Sequence, residues 1–369
     1  MKIHEGITDT TPEQVNYNPQ RLNRLDAFFQ ELIHKKRLQC ASYLLALHGK
    51  IFAWKSMGPL SYLEGKGDLK PDSIRKLASA SKAFTAVAIM QLIENGKLLL
   101  EQPVAEIIKE FDNPMYGRIQ IFHLLTHTAG LRSDPEFYQE PYPFPFFIDE
   151  CTPENWIEVI LKGPRLTEIG KVWAYSSAGI AVLGEIIRKI SGISYEDYIE
   201  QNILEPLAME RTFFTVPEEL HNQICIAAKS DKEKLKPYKM AHIFNPLGGL
   251  YSSLHDMWKF GQMLLNKGTF NNEYILSRKS VEAMAKTQIT TPSYYWGSRF
   301  EEYTMGLGLF TQINGILTPG TYNHEGAGFC ALYMDPKENF LAAYFVPNPI
   351  GWVPEAVVGS RAIMWSGLK

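Results

Sequence analysis

Apolar and polar positions along the chain change period several times, and each change marks an element. Leu22, Leu25, Phe28, Phe29, Leu32 and Ile33 recur at helical spacing, which predicts an amphipathic helix over 19–35 opened by Asn18 and Pro19. Residues 41–47 and 51–54 are short β-rich runs separated by His48, Gly49 and Lys50, which predicts a hairpin. A glycine- and proline-rich stretch follows, then a strand-like run over 74–77 and a helix over about 79–95, closed by Gly96. Helical spacing dominates from about 103 to 243, as in 121–126 and in 180–190, the latter stopped by Ser191 and Gly192. A further helix, 254–265, comes after Gly248 and Gly249. The C-terminal third returns to strands at 329–334 and 340–346, with 335–339 as the turn between them. Strands at both ends with helices between predict an α+β protein. One antiparallel sheet is built from both termini and flanked by helices, with a mainly helical region inserted. The expected division is a discontinuous sheet-bearing part, 1–105 with 244–369, and a helical part, 106–243.

Composition narrows the function more than the fold. A chain of 369 residues buries enough surface to need no disulfide or metal staple. With 37 Lys+Arg against 40 Asp+Glu and no basic block, it lacks the phosphate contacts of a nucleic-acid binder or membrane-surface protein. Cys40, Cys151, Cys225 and Cys330 are far apart in sequence with no CxxC pair, so buried, reduced thiols are expected. No apolar run approaches the roughly 18 residues needed to span a bilayer. The opening MKIHEGITDTTPEQ has no apolar signal segment, so a cytoplasmic location is expected. Aromatic residues reach 12%. Many fall in 134–147, whose prolines forbid a regular element; these rings, with Trp296 and Trp352, are expected as core or cavity lining.

Several kinds of site are absent from the sequence: there is no GxSxG, HExxH, P-loop or helix-opening GxGxxG. His123 and His127 are four apart but lack a third ligand nearby, so no metal is expected, and nothing calls for an organic cofactor. The remaining nucleophile signal is Ser79-Ala-Ser-Lys82. A second match, Ser73-Ile-Arg-Lys76, leads into a strand-like run, where the two side chains would point to opposite faces. Ser79 instead stands at a strand-to-helix junction, and Lys82 follows one turn later on the same face. Burial and the positive end of the helix dipole would both favour a neutral amine there, able to act as base for the serine.

Downstream lie Trp173-Ala-Tyr175-Ser-Ser177-Ala-Gly179 and Asn323-His324-Glu325-Gly326-Ala327-Gly328-Phe329. With Ser79–Lys82, and with Leu124–Leu131, Gly248–Ser252 and Met305–Gly308 as framing segments, the chain resembles the serine β-lactamase and penicillin-binding-protein-like hydrolases. The likeness is to the class C β-lactamase branch with its carboxylesterase and D-aminopeptidase relatives. That family carries S-x-x-K, then Y-x-N or a variant, then K-T-G or H-x-G, and the likeness covers roughly 20–347. It implies the β-lactamase/transpeptidase-like fold, with Ser79 as acylated nucleophile and Lys82 and Tyr175 as the proton-handling pair. It implies an oxyanion hole from the backbone N–H groups of Ser79 and Ala327, and substrate contacts from Ser177, His324 and Gly326. Gly326 and Gly328 fit a strand edge that a substrate approaches closely. Two departures bear on the substrate. Ser177 stands where the family has an asparagine that holds an amide, and His324 replaces the lysine of K-T-G, removing a fixed positive charge. Both favour neutral, apolar acyl compounds, so a carboxylesterase acting on small-molecule esters is the expected activity. The alternatives are a D-aminopeptidase or other amidase, a β-lactamase, or a non-catalytic penicillin-binding protein.

Overall fold

The computed structural model describes residues 1–63, 65–132, 151–233, 235, 240–294, 302–311, 315–327, 329–348 and 353–369. The strands are β1 (Ile3–Glu5), β2 (Ala41–Leu47), β3 (Lys50–Met57), β4 (Arg75–Lys76), β5 (Tyr251–Ser252), β6 (Thr269–Phe270), β7 (Glu273–Tyr274), β8 (Ile289–Pro292), β9 (Glu302–Met305), β10 (Tyr322–Gly326), β11 (Cys330–Asp335) and β12 (Phe340–Phe345). The helices are α1 (Pro19–His34), α2 (Lys82–Glu94), α3 (Ile121–Leu125), α4 (Trp156–Ile160), α5 (Ser177–Ser191), α6 (Tyr195–Ile199), α7 (Lys229–Glu233), α8 (Ala241–Gly248), α9 (Leu254–Leu265), α10 (Arg278–Ala285) and α11 (Ser360–Trp365).

The main sheet is antiparallel throughout, in the order β1-β3-β2-β12-β11-β10, so the N-terminal hairpin and the C-terminal meander join through β2 and β12. Every position of β2, β11 and β12 is buried, which explains why these strands read as continuous apolar runs rather than as alternation. Leu44, Leu332, Leu341 and Ala343 face the larger core with α2 and α9. Tyr43, Leu45, Tyr333, Phe340 and Tyr344 face the opposite way, where α1 and α11 cover them with Leu25, Phe29, Met364 and Trp365. The α+β architecture expected from the alternation of strands and helices is therefore present.

Local signals explain several boundaries. The Asn18 side chain accepts from Gln20 N–H at 3.0 Å and caps α1. His48 and Gly49 both take positive φ, 52° and 77°, as a tight hairpin turn requires. Asp335 Oδ1 accepts the N–H groups of Lys337 and Glu338 and shapes the turn between β11 and β12.

Helix α2 is buried from Lys82 to Leu92 and presents no polar face, because the sheet-side core meets it on one flank and α5 and α8 on the other. It starts later than expected. Residues Ala78–Ser81 form a 3₁₀ turn, and Ala78 sits at φ 46°, where an L-residue is strained. The turn is tied on both sides: Leu77 N–H donates to Leu250 O at 2.8 Å, and Leu250 N–H donates to Ser81 Oγ at 3.2 Å.

β1 and the β8–β9 hairpin have no counterpart among the expected elements; each is four residues or fewer, too short for a periodic signal. The thiols are not all scattered, since the sulfurs of Cys40 and Cys225 lie 3.7 Å apart. Segment 134–147, Trp296, Gly328 and Trp352 lie outside the described residues. Among the described residues no helix is long and apolar enough to cross a membrane.

Candidate active site

Ser79 lies half-buried in the 3₁₀ turn and Lys82 opens α2, with only 1% of its surface exposed. The ammonium Nζ donates to Ser79 Oγ at 3.0 Å and to Leu247 O at 2.7 Å. Leu247 lies at the C-terminal end of α8, where the helix concentrates partial negative charge, so a buried cation gains a partner that Ser79 alone does not supply. The competing Ser73–Lys76 pair is separated: Ser73 Oγ accepts from Lys70 N–H at 2.9 Å, while Lys76 lies over the Tyr251 ring.

Tyr175 precedes α5 and is 6% exposed, with its ring centroid 5.1 Å from Lys82 Nζ. His127 holds the residues on either side of it. The His127 carbonyl accepts from Ala174 N–H at 2.8 Å, and its Nδ1 accepts from Ser176 N–H at 3.1 Å. Its ring packs 4.6 Å from that of Tyr175. The grip requires a left-handed backbone at His127, φ 52°. It also requires a neutral ring with the proton on Nε2. Burial, then the charge of Lys82, then His324 hold the His127 imidazole well below its ordinary pKa, so that form persists. The other histidine of the i, i+4 pair, His123, uses Nδ1 to accept from Gln120 N–H at 3.0 Å.

Ser177 is the first residue of α5 and 3% exposed, while Ser176 caps the helix by accepting from Gly179 N–H at 3.1 Å. His324 lies on β10, the edge strand, and is 2% exposed. Its Nδ1–H donates to Glu325 O at 2.8 Å, which leaves Nε2 as a buried acceptor with no hydrogen-bond partner among the described residues. Burial, and secondarily the Lys82 ammonium, push its pKa down to about 3, so the ring is neutral at any ordinary working pH.

Gly326 ends β10. A Cβ there would come within 2.7 Å of Cys330 Sγ and closer still to Leu77 O. Glycine is therefore demanded first by Leu77 at the start of the Ser79 turn, a reason different from the substrate approach expected at this position. The same close approach lays the end of β10 alongside Leu77, which leads into the Ser79 turn. On the far face of β10, Glu325 accepts from Tyr333 OH, which in turn accepts from Arg361, so the edge strand is anchored to α11.

Sequence reasoning did not find the aromatic packing behind Tyr175. Phe310 exchanges backbone hydrogen bonds with Asn323 of β10, its ring lies edge-on to His324 at 5.0 Å, and it is parallel to Tyr175 at 6.5 Å. Trp173 stacks on Tyr303 at 3.9 Å and donates from Nε1 to Met305 Sδ at 3.3 Å. Nor did it find the Leu247 carbonyl, although Gly248–Ser252 was read as framing. A backbone acceptor leaves no side-chain signature. Chemically, the assembly offers a hydroxyl in contact with a buried ammonium, a phenol beside it, and a neutral apolar wall.

A family model described as Beta-lactamase matches residues 25–349. A protein of Salmonella heidelberg (strain SL476), named "Putative D-alanyl-D-alanine carboxypeptidase", is 26% identical over 381 residues, covering 93% of this chain and 86% of that one. The octameric penicillin-binding protein homologue from Pyrococcus abyssi is 28% identical with a TM-score of 0.75, over 94% of this chain and 77% of that chain. A family VIII carboxylesterase superposes over 100% of both chains with a TM-score of 0.75 at 18% identity, a likeness of fold.

Proposed function

The chain belongs to the β-lactamase family, a serine-hydrolase superfamily, and from that premise we propose that it is a carboxylesterase working through an acyl-Ser79 intermediate. The observation that carries the proposal is the 3.0 Å contact between Lys82 Nζ and Ser79 Oγ inside a buried site. Attack of Ser79 Oγ on an ester carbonyl requires its proton to leave; the Lys82–Tyr175 pair receives it once the pair has lost one proton, since an ammonium beside a neutral phenol offers no base. The N–H groups of Ser79 and Ala327 hold the developing oxyanion. The same pair returns the proton to the departing alcohol, and water then attacks the acyl-serine by the reverse path. No metal or organic cofactor enters these steps.

The preference for an uncharged ester rests on His324. A substrate carboxylate would need a cation at this strand edge, and the imidazole there is held neutral, its pKa near 3. A serine at 177 reaches less far than asparagine toward a substrate amide, and the packing of Phe310 and Trp173 around Tyr175 suits apolar acyl groups. A second reading, a D-amino-acid amidase or peptidase with β-lactamase activity as a variant, is favoured by the name of the Salmonella relative. Comparing kcat/KM for p-nitrophenyl esters, D-amino-acid amides, a D-Ala-D-Ala peptide and nitrocefin ranks the two. Ser79→Ala is expected to abolish turnover of the preferred class and labelling by a fluorophosphonate. Unchanged ester hydrolysis in that variant would end the proposal, and failure of the wild type to label would point to a non-catalytic binding protein.

A further inference from the structure

Cys40 immediately precedes β2, and Cys225 lies on an extended stretch whose neighbour Ile224 bridges to Ile74, just ahead of β4 and the Ser79 turn. Though 185 positions apart, the two sulfurs approach to 3.7 Å, and both residues are buried with Leu60 and Leu69. A disulfide needs the sulfurs at about 2.05 Å, a closure of under 2 Å, within the range of small side-chain and backbone adjustment. The surroundings are polarised. Arg75, ion-paired with Asp231 at 3.1 Å, donates to Cys225 O at 3.0 Å. The hydrogen bond from Cys40 and the Arg75 charge draw the Cys225 thiol down, whereas burial pushes Cys40 up. The two thiols are thus unequal, one nearer to a thiolate and one a proton carrier. Both thiols are buried, and Leu60, of the same apolar cluster, separates them from an open cleft of about 630 Å³ that it lines with Lys66, Lys70 and Asn222.

We propose that Cys40 and Cys225 form a reversible dithiol–disulfide site, oxidised by hydroperoxides of the size of hydrogen peroxide that enter through this cleft. The Cys225 thiolate attacks one peroxide oxygen, breaking the O–O bond; it becomes a sulfenic acid and the second oxygen leaves as water after taking a proton. The Cys40 sulfur then attacks the sulfenic sulfur, its own proton goes to the departing hydroxyl, and a second water is released. Two thiols are oxidised to one disulfide and one peroxide is reduced to two waters. The new bond ties the start of β2 to the extended stretch beside Ile74 and closes a very long loop, so it stabilises the fold.

The test uses the full-length reduced protein, treated with stoichiometric hydrogen peroxide, quenched with catalase and alkylated under denaturing conditions without reductant. The expected result is loss of two of the four alkylatable thiols. A Cys40–Cys225 linked peptide should appear by mass spectrometry, reversed by dithiothreitol, with Tm raised by about 5 °C. Cys40→Ser and Cys225→Ser should each keep all remaining thiols free of any disulfide. Oxidation confined to Cys151 or Cys330, an intermolecular disulfide, or a linked protein with unchanged Tm would overturn the proposal. The wild-type peptide map decides by itself if a serine variant does not fold.

Discussion

Gly326→Ala tests whether the spacing between the edge strand and the Ser79 turn sets the chemistry. The added methyl would sit 2.7 Å from Cys330 Sγ, where unbonded heavy atoms keep about 3.5–4.0 Å, and would press on Leu77 O more closely still. Leu77 cannot retreat cheaply: its N–H is bonded to Leu250 O at 2.8 Å and its carbonyl accepts from Cys330 Sγ at 2.7 Å. The strand must therefore withdraw by about 1 Å, and if Ala327 N–H serves the oxyanion as proposed, it moves away with the strand. Overpacking of this kind costs about 1–3 kcal/mol of stability. A displacement of that size costs about 100-fold in rate when the moved group acts only in the transition state. The expected outcome is a kcat for p-nitrophenyl butyrate lowered about 100-fold with KM changed far less, measured well below the lowered Tm so that the protein remains folded. A variant with the lowered Tm but near-wild-type kcat would refute the reasoning, since β10 would then move without disturbing the reaction.

Two other outcomes follow from the same geometry. His127→Ala removes the acceptor for Ser176 N–H, a loss worth about 1–3 kcal/mol where the group stays buried, and should lower kcat more than it raises KM. His127→Asn tolerates the left-handed backbone and offers Oδ1 in place of Nδ1, so it should recover much of the rate; equal damage from both substitutions would argue against the grip on Tyr175. The pH dependence of stability has a definite sign. His324 and His127 titrate near 6.5 when unfolded but well below that when folded, so the unfolded chain binds more protons as pH falls below 6.5, down to about pH 3 for His324, and stability falls with acid in that window. The loss should reach about 2 kcal/mol for His324 by pH 5, with His127 adding in the same direction, read from urea unfolding at pH 7.5 and 5, and equal stability at both would contradict neutral burial of the two rings.

What could be read from the sequence divides by the range of the interaction responsible. α1, α9 and the β2–β3 hairpin depend on local periodicity, a cap or a turn residue, and they lie within a few residues of their expected positions. That strands from both termini share one antiparallel sheet was legible from their placement at the two ends, whereas the six-stranded order, with β1 at one edge and β10 at the other, was not. The Ser79–Lys82 contact was legible because both residues belong to one turn of chain. The Leu247 carbonyl, the His127 grip and the approach of Cys40 to Cys225 span 49 to 185 positions, and none has a residue-type signature. Gly326 shows the intermediate case. Its identity was visible and its reason was not, since only the folded chain brings Leu77 O into the space a side chain would occupy.

The electrostatics of the site follow from one placement. Lys82 is the first residue of a helix with no polar face, so its ammonium is buried and must be satisfied by carbonyl and hydroxyl oxygens, which α8 and the Ser79 turn provide. The same charge helps keep both nearby imidazoles neutral, because a second cation in the apolar surroundings would meet like-charge repulsion with little water to screen it. Neutrality in turn fixes their roles. His127 has a lone pair on Nδ1 to accept from the Tyr175 segment, and His324 has a proton on Nδ1 to give to its own strand. A lysine at 324 would bring a second ammonium to this buried cluster, and its charge would have to be balanced by an anion from the substrate. With histidine there, that requirement disappears, which supports the uncharged acyl group proposed as substrate.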